Sequence, residues 1–243
     1  FEDLNAVVRS GRKLEAGARV YANWMGKSFM LFVLGEKPLE EGMNILGAHI
    51  DSPRIDVKQN PLYEDTDLAY LDTHYYGGIK KYQWVAIPLA LHGVIVRKTG
   101  EKVIINIGED ENDPVFCISD LLVHLAQEQM TKNAKEVVEG EALNLIVGGR
   151  PLEGEEKDAV KANVLKLLAD KYGVEEEDFL SAELEIVPAG KARDMGFDRS
   201  MILAYGHDDR VCAYPSMMAV LDYEGTPEYT LCCIVTDKEE IGR

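Results

Sequence analysis

MNILGAHIDSPR, residues 43–54, is the stretch whose reading decides the fold. An apolar run passes through small residues and then meets His49 and Asp51. In an α/β sheet, groups that do chemistry commonly sit at such carboxyl ends of strands. Side chains two apart on extended backbone point the same way. His49 and Asp51 are therefore expected on one side. A neutral imidazole is a good zinc ligand, and a nearby carboxylate can orient either it or a catalytic residue. Alone, H-x-D is common and points nowhere in particular.

Two further junctions have the same character. YTLCCIV (229–235) reads as a buried strand and runs into TDKEEIGR, with Glu239 and Glu240 adjacent. Two such carboxylates cannot both be buried without charge compensation. Solvation answers this, and so do two metal ions. In the metal reading one Glu ligates and the other accepts a proton from water. YGHDDR (205–210) places Asp208 and Asp209 between Gly206 and the helical run VCAYPSMMAVLDY (211–223). Acids at such a turn serve as an N-cap and a solvated charge, or one of them bridges two cations.

The segments between these junctions differ in character. LNAVVRSGRKL (4–14) reads as a helix and MLFVLG (30–35) as a strand. From about Pro53 to Ala192 the pattern is mainly strand, with GVIVRK, EKVIINIG and LNLIVGG separated by turn signals. ISDLLVHLAQEQM (118–130), with Ser119 as N-cap, and EKDAVKANVLKLLADKYG (156–173), closed by Gly173, read as amphipathic helices. ELEIVPAG (183–190) begins a second alternating stretch. The expected architecture is α/β: a domain of residues 1–52 and 193–243 interrupted by an inserted, mainly β domain of residues 53–192.

Composition narrows the classes. Of 243 residues, 46% are hydrophobic and 28% charged, the balance of a globular protein. The net charge of −17 disfavours nucleic acid and anionic membranes as partners. No apolar run is long enough to cross a bilayer, and the first residues lack a secretory apolar core, so cytoplasmic residence is expected. Cys117, Cys212, Cys232 and Cys233 are too few and too irregularly spaced for a disulfide framework, and structural roles are expected of them.

The ordered series H-x-D, D-D and E-E-I-G resembles the two-metal exopeptidases, and among them the aspartyl aminopeptidase family. GAHIDSPR and THYYGGIKKYQWVAIPLALHGVIV (73–96) are similar to that family's GAH-x-DSP stretch and the Y-GG…W segment after it. The resemblance implies an aminopeptidase-type catalytic domain with an inserted dimerisation domain, built into homo-oligomeric shells. It implies two zinc ions and peptide substrates, with acidic N-terminal residues suggested by the family name. Carried over by residue, His49 ligates one metal, Asp208 bridges both, Glu240 ligates the other, Glu239 is the general base, and Asp51 orients His49 or the base. Asp209 receives no role. Arg54, Lys80, Lys81 and Arg210 are candidate cations for an acidic substrate, though solvated surface charge is their plainer reading. His74, His92, His124 and His207 are read as ordinary polar residues, His74 and His124 with an option on a neighbouring subunit's site. The family places two further ligands, a carboxylate and a histidine, beyond Arg243, so the resemblance implies metal shells that this stretch leaves incomplete. The alternatives are a glutamyl or broad-specificity aminopeptidase, a deacylase with the same centre, and a non-catalytic shell-forming homologue.

Overall fold

The computed structural model describes residues 1–242. The chain opens with β1 (Glu2–Asp3), α1 (Leu4–Ser10), β2 (Arg19–Trp24), β3 (Ser28–Val33) and β4 (Met43–His49). It continues with β5 (Arg54–Asp65), β6 (Leu68–Tyr76), β7 (Leu89–Val96), β8 (Lys102–Ile107), β9 (Leu145–Gly148), α2 (Ala159–Tyr172), β10 (Ala182–Pro188), β11 (Arg193–Met195) and β12 (Met201–Leu203). It closes with α3 (His207–Leu221) and β13 (Thr230–Thr236). Two compact units result, one of Phe1–Ser52 with Gly206–Arg243 and one of Pro53–Tyr205. No helix among the described residues is long and apolar enough to cross a membrane.

The first unit is a five-stranded mixed sheet in the order β1-β2-β3-β13-β4. β3 and β13 are central because SFMLFV and TLCCIVT carry the apolar runs of this unit. Leu31, Val33, Cys233 and Val235 pack with Ala213 and Val220 of α3 into its core. Cys232 and Cys233 are thus buried, as expected, whereas Cys212 is exposed. β13 runs parallel to β4, with Thr236 opposite His49. That register sets the carboxyl ends of two strands, 187 residues apart in sequence, side by side.

The second unit is a six-stranded antiparallel sheet in the order β8-β7-β10-β5-β6-β9, with α2 packed against β5, β6 and β9. β5 and β6 form a hairpin whose turn residues Thr66 and Asp67 both have positive φ, the geometry that matches the twist of the flanking strands. Their mixed polar patterning, in RIDVKQNPLYED and LAYLDTHYY, hides them from a reading that looks for apolar runs. Ile55, Leu71, Leu89, Ile95 and Ile186 are among its buried core residues, and Trp84 of the aromatic segment is buried with them.

Two expectations are corrected. The stretch from 193 to 205 belongs to the second unit, not the first. β10 lies between β7 and β5 in that sheet, and β11 pairs with β12, so the chain leaves the unit only after Tyr205. The Tyr205 hydroxyl donates to the Pro53 carbonyl at 2.7 Å, tying the two ends of the unit together. The segment 118–130 is not an α-helix but a series of turns with a short 3-10 piece at Gln129–Thr131. Leu121, Leu122, Val123 and Leu125 are exposed. A helix this short needs its apolar stripe buried, and among the described residues most of this one's apolar side chains stay uncovered, Ile118 and Ala126 excepted. Gln129 Nε2 instead donates to Asp120 Oδ1 at 2.8 Å and closes the segment into a loop.

Gly93 shows how closely β7 and β10 approach. Its φ is +138°, and an added Cβ would lie 1.9 Å from the Glu183 carbonyl oxygen. Gly93→Ala should destabilise the inserted unit by about 2 kcal/mol or more, because both the backbone conformation and the space are wrong for a side chain. An unchanged unfolding midpoint in urea would contradict that close approach.

Candidate metal centre

The parallel register of β4 and β13 carries the site. Past Thr236 the chain turns through Lys238, whose φ of +77° is left-handed, into the short turn Glu239–Ile241. Past His49, the Ile50 N–H still bonds the Thr236 carbonyl at 2.9 Å, so the two strand ends stay paired to the point where chemistry begins.

Asp51 holds these ends together. Its side chain is only 1% exposed. One carboxylate oxygen accepts the Glu239 N–H and the other the Glu240 N–H, both at 3.2 Å. A buried carboxylate is tolerable when such donors satisfy it. Asp51 Oδ1 also lies 3.4 Å from His49 Nδ1.

The same turn fixes the imidazole. His49 Nδ1 donates to the Asp51 carbonyl at 2.9 Å, which leaves the lone pair on Nε2. Nε2 faces Asp208 Oδ1 at 3.3 Å and Glu239 Oε2 at 3.7 Å. Burial lowers the His49 pKa, but the Asp51 carbonyl and the charges of Glu239, Asp51 and Asp209 outweigh it and leave it raised.

Asp208 arrives from the start of α3. Its backbone (φ −82°, ψ 115°) and that of Asp209 (φ −117°, ψ 34°) are not helical, and the peptide between them is cis. The Asp208 side chain is 83% exposed and reaches His49 Nε2. Asp209, which the sequence left without a role, has its carboxyl held below the ordinary carboxylate range, by the Cys212 thiol first and then by His49. Ser52, buried at 7% exposure, donates from Oγ to the Asp208 carbonyl at 3.0 Å. The sequence singled out neither role; adjacency to His49-x-Asp51 and to Asp208 was the only signal for them.

The donor set suits a divalent cation. Ligand atoms of His49, Asp208 and Asp209 lie within 4.8 Å of one another, as do those of His49, Glu239 and Glu240. A tetrahedral zinc with bonds of about 2.0–2.1 Å to nitrogen and oxygen separates its ligand atoms by ~3.3 Å. The 3.3 Å between His49 Nε2 and Asp208 Oδ1 has that span. The electrostatics agree: Glu240 has its pKa raised by burial first, then by the charges of Asp208, Glu239 and Asp51, against the lowering by His49. A carboxyl crowded in this way gains from a cation.

All five residues singled out by the sequence thus meet at one end of one sheet. His74 stacks on Tyr75, His92 pairs with Glu109 at 2.9 Å, and His124 lies on the loop after Asp120. Arg54 is withdrawn as a substrate cation. It is buried, bound to Asp56 at 2.8 Å and Glu185 at 3.1 Å, and stacked 3.7 Å from the Tyr76 ring centre.

Glu240→Gln tests the charge crowding. A carboxyl whose folded pKa is raised is destabilising above its unfolded value, so the penalty is absent in acid and present at neutral pH. The variant should raise the neutral-pH Tm of the metal-free protein by about 2 °C and weaken zinc binding. A lower metal-free Tm would refute the crowding.

The model of the aminopeptidase I zinc metalloproteases, M18, matches residues 4–243. A relative from Clostridium acetobutylicum described as a probable M18 family aminopeptidase 1 is 59% identical over 243 residues, covering 100% of this chain and 52% of its own length. One from Thermotoga maritima with the same description is 52% identical over 223 residues, covering 92% and 48%. The crystal structure of the Clostridium aminopeptidase I superposes with a TM-score of 0.89, covering 99% of this chain and 52% of that one. A yeast mApe1 structure shares the fold with a TM-score of 0.67 at 20% identity, covering 93% and 51%. The chain spans about half the length of the curated relatives it matches. On a family match that takes in nearly every residue, the chain belongs to the M18 family of aminopeptidase I zinc metalloproteases.

Proposed function

We propose that this chain carries the base and part of the metal shell of a two-zinc aminopeptidase that removes N-terminal residues from peptides. The observation that carries the reading is the Asp51 carboxylate, which accepts both Glu239 and Glu240 amides while the neighbouring carbonyl ties the far nitrogen of His49. A neutral imidazole nitrogen and two differently placed glutamates are thereby aimed at one space.

In this reading His49, Asp208 and Glu240 would hold the ions, with Asp208 serving both. Zinc bound there supplies Lewis acidity to the scissile carbonyl and to water. Glu239 does the proton work. Its side chain is 61% exposed, so it is open to solvent and substrate, and its Oε2 lies within 4 Å of His49 Nε2. It takes a proton from the attacking water and passes it to the departing amine. Asp51 stays buried and orients both His49 and the turn that carries Glu239. With a single described histidine in the cluster, further ligands from the rest of a full family polypeptide complete both shells.

The preferred substrates are peptides with a free N-terminus, acidic ones included. Arg210 remains as a candidate cation, following Asp208 and Asp209 directly in α3. Rates on Asp-, Glu-, Leu- and acyl-blocked substrates separate the acidic, glutamyl, broad-specificity and deacylase readings. Activity on blocked substrates alone would sink the aminopeptidase claim.

The inserted unit is proposed to mediate assembly into homo-oligomers. In support, Leu121, Leu122, Val123, Leu125 and Met130 are all exposed on one loop, and clustered exposed apolar side chains are a mark of interaction sites. The yeast mApe1 structure is of a dodecamer.

Glu239→Gln decides between catalyst and shell-forming homologue. It should leave zinc content unchanged and lower turnover by about 10²–10⁴-fold, measured by metal analysis and steady-state kinetics on the full-length protein. Turnover that survives the substitution removes Glu239 from the mechanism.

A further inference from the structure

Asp208 poses a mechanical problem. It is the acid assigned to two ions at once, and its backbone stands outside the helical conformation of α3. Its ψ of 115° turns its carbonyl out of the helical direction, and its side chain is 83% exposed. The Cα of such a residue is as mobile as the peptide that carries it, and a bridging carboxylate tolerates little displacement.

The displaced carbonyl has one side-chain donor among the described hydrogen bonds, Ser52 Oγ at 3.0 Å. Ser52 is buried whereas Asp208 is exposed, and the bond between them is part-buried, so water can satisfy the carbonyl when the hydroxyl is lost but cannot fix its direction. The opposite wall is close. Gly206, with φ +79°, comes so near that an added Cβ would sit 3.2 Å from Ser52 Oγ. Ser52 also follows Asp51 directly. One dipeptide therefore grips the Glu239–Glu240 turn with a carboxylate and the Asp208 peptide with a hydroxyl, two residues after His49.

We propose that Ser52 is a positioning residue for the metal centre, fixing the Asp208 peptide so that its carboxylate stays opposite His49 Nε2. The proposal rests on the reading of His49, Asp208 and Glu240 as metal ligands. Asp51 orients one pair of donors, and Ser52 orients the donor that pair must share an ion with. In this role Ser52 acts through the Asp208 backbone.

The test is zinc affinity of the full-length protein, measured by competition with a chelating dye, for Ser52→Ala, Ser52→Thr and His49→Ala. Thermal unfolding of each metal-free protein is followed in parallel. Ser52→Ala should weaken zinc binding about tenfold, the low end for residues that orient ligands. Ser52→Thr, which keeps the hydroxyl, should restore most of it, and the metal-free Tm of both should match the parent. Unchanged affinity in Ser52→Ala with lost affinity in His49→Ala overturns the positioning role and leaves the metal site standing. Unchanged affinity in His49→Ala overturns the metal site and this role with it. A lower metal-free Tm in Ser52→Ala, or equal loss in the Ala and Thr variants, assigns Ser52 to packing and overturns the proposal.

Discussion

The parallel pairing of Met43–His49 with Thr230–Thr236 is the constraint on which the rest of the site depends. A parallel pair needs a crossover connection, and here the connection is the whole inserted unit followed by α3. Parallel strands end at the same edge of the sheet, so whatever follows each strand meets there. The Asp51 carboxylate then converts adjacency into geometry by accepting the two amides of the following turn. Without the register Asp51 has no amides to bind. Without Asp51 the Glu239–Glu240 turn loses the two side-chain bonds that orient it toward His49.

The same site is a local conflict. Asp51, Asp208, Asp209, Glu239 and Glu240 gather about one imidazole, and Glu240 is driven toward its protonated form by burial and by its acidic neighbours. The crowding of Glu240 costs stability in the metal-free protein and is relieved once a cation is bound, which links folding energetics to metal affinity. The fold confines this cost to a few residues at the strand ends. The interior of the same sheet is apolar, with Leu31, Val33, Cys233 and Val235 in its core.

The inserted unit is organised by different forces. Its antiparallel sheet, the Thr66–Asp67 turn and the buried Arg54 with Asp56, Glu185 and Tyr76 make a self-contained core. An arginine free for substrate and an arginine fastened by two carboxylates read alike in sequence. The same holds for the loop at 118–130, whose helically spaced leucines stay uncovered among the described residues.

The sequence by itself determined the strand-to-turn junctions at His49 and Glu239, the turn into a helix at Asp208, the residues with chemistry at each, and the alternation of an α/β domain with a mainly β insertion. It could do so because apolar runs, glycine turns and adjacent acids are local signals. Strands β5 and β6 escaped, since their patterning mixes polar and apolar positions, and the boundary at Tyr205 depended on pairings between distant strands. Only the tertiary structure decided that His49 offers Nε2, that Asp51 binds two amides 188 and 189 residues away, and that Ser52 holds the Asp208 carbonyl. Those are hydrogen bonds between segments that meet only after the sheet has closed, and no periodicity along the chain encodes them.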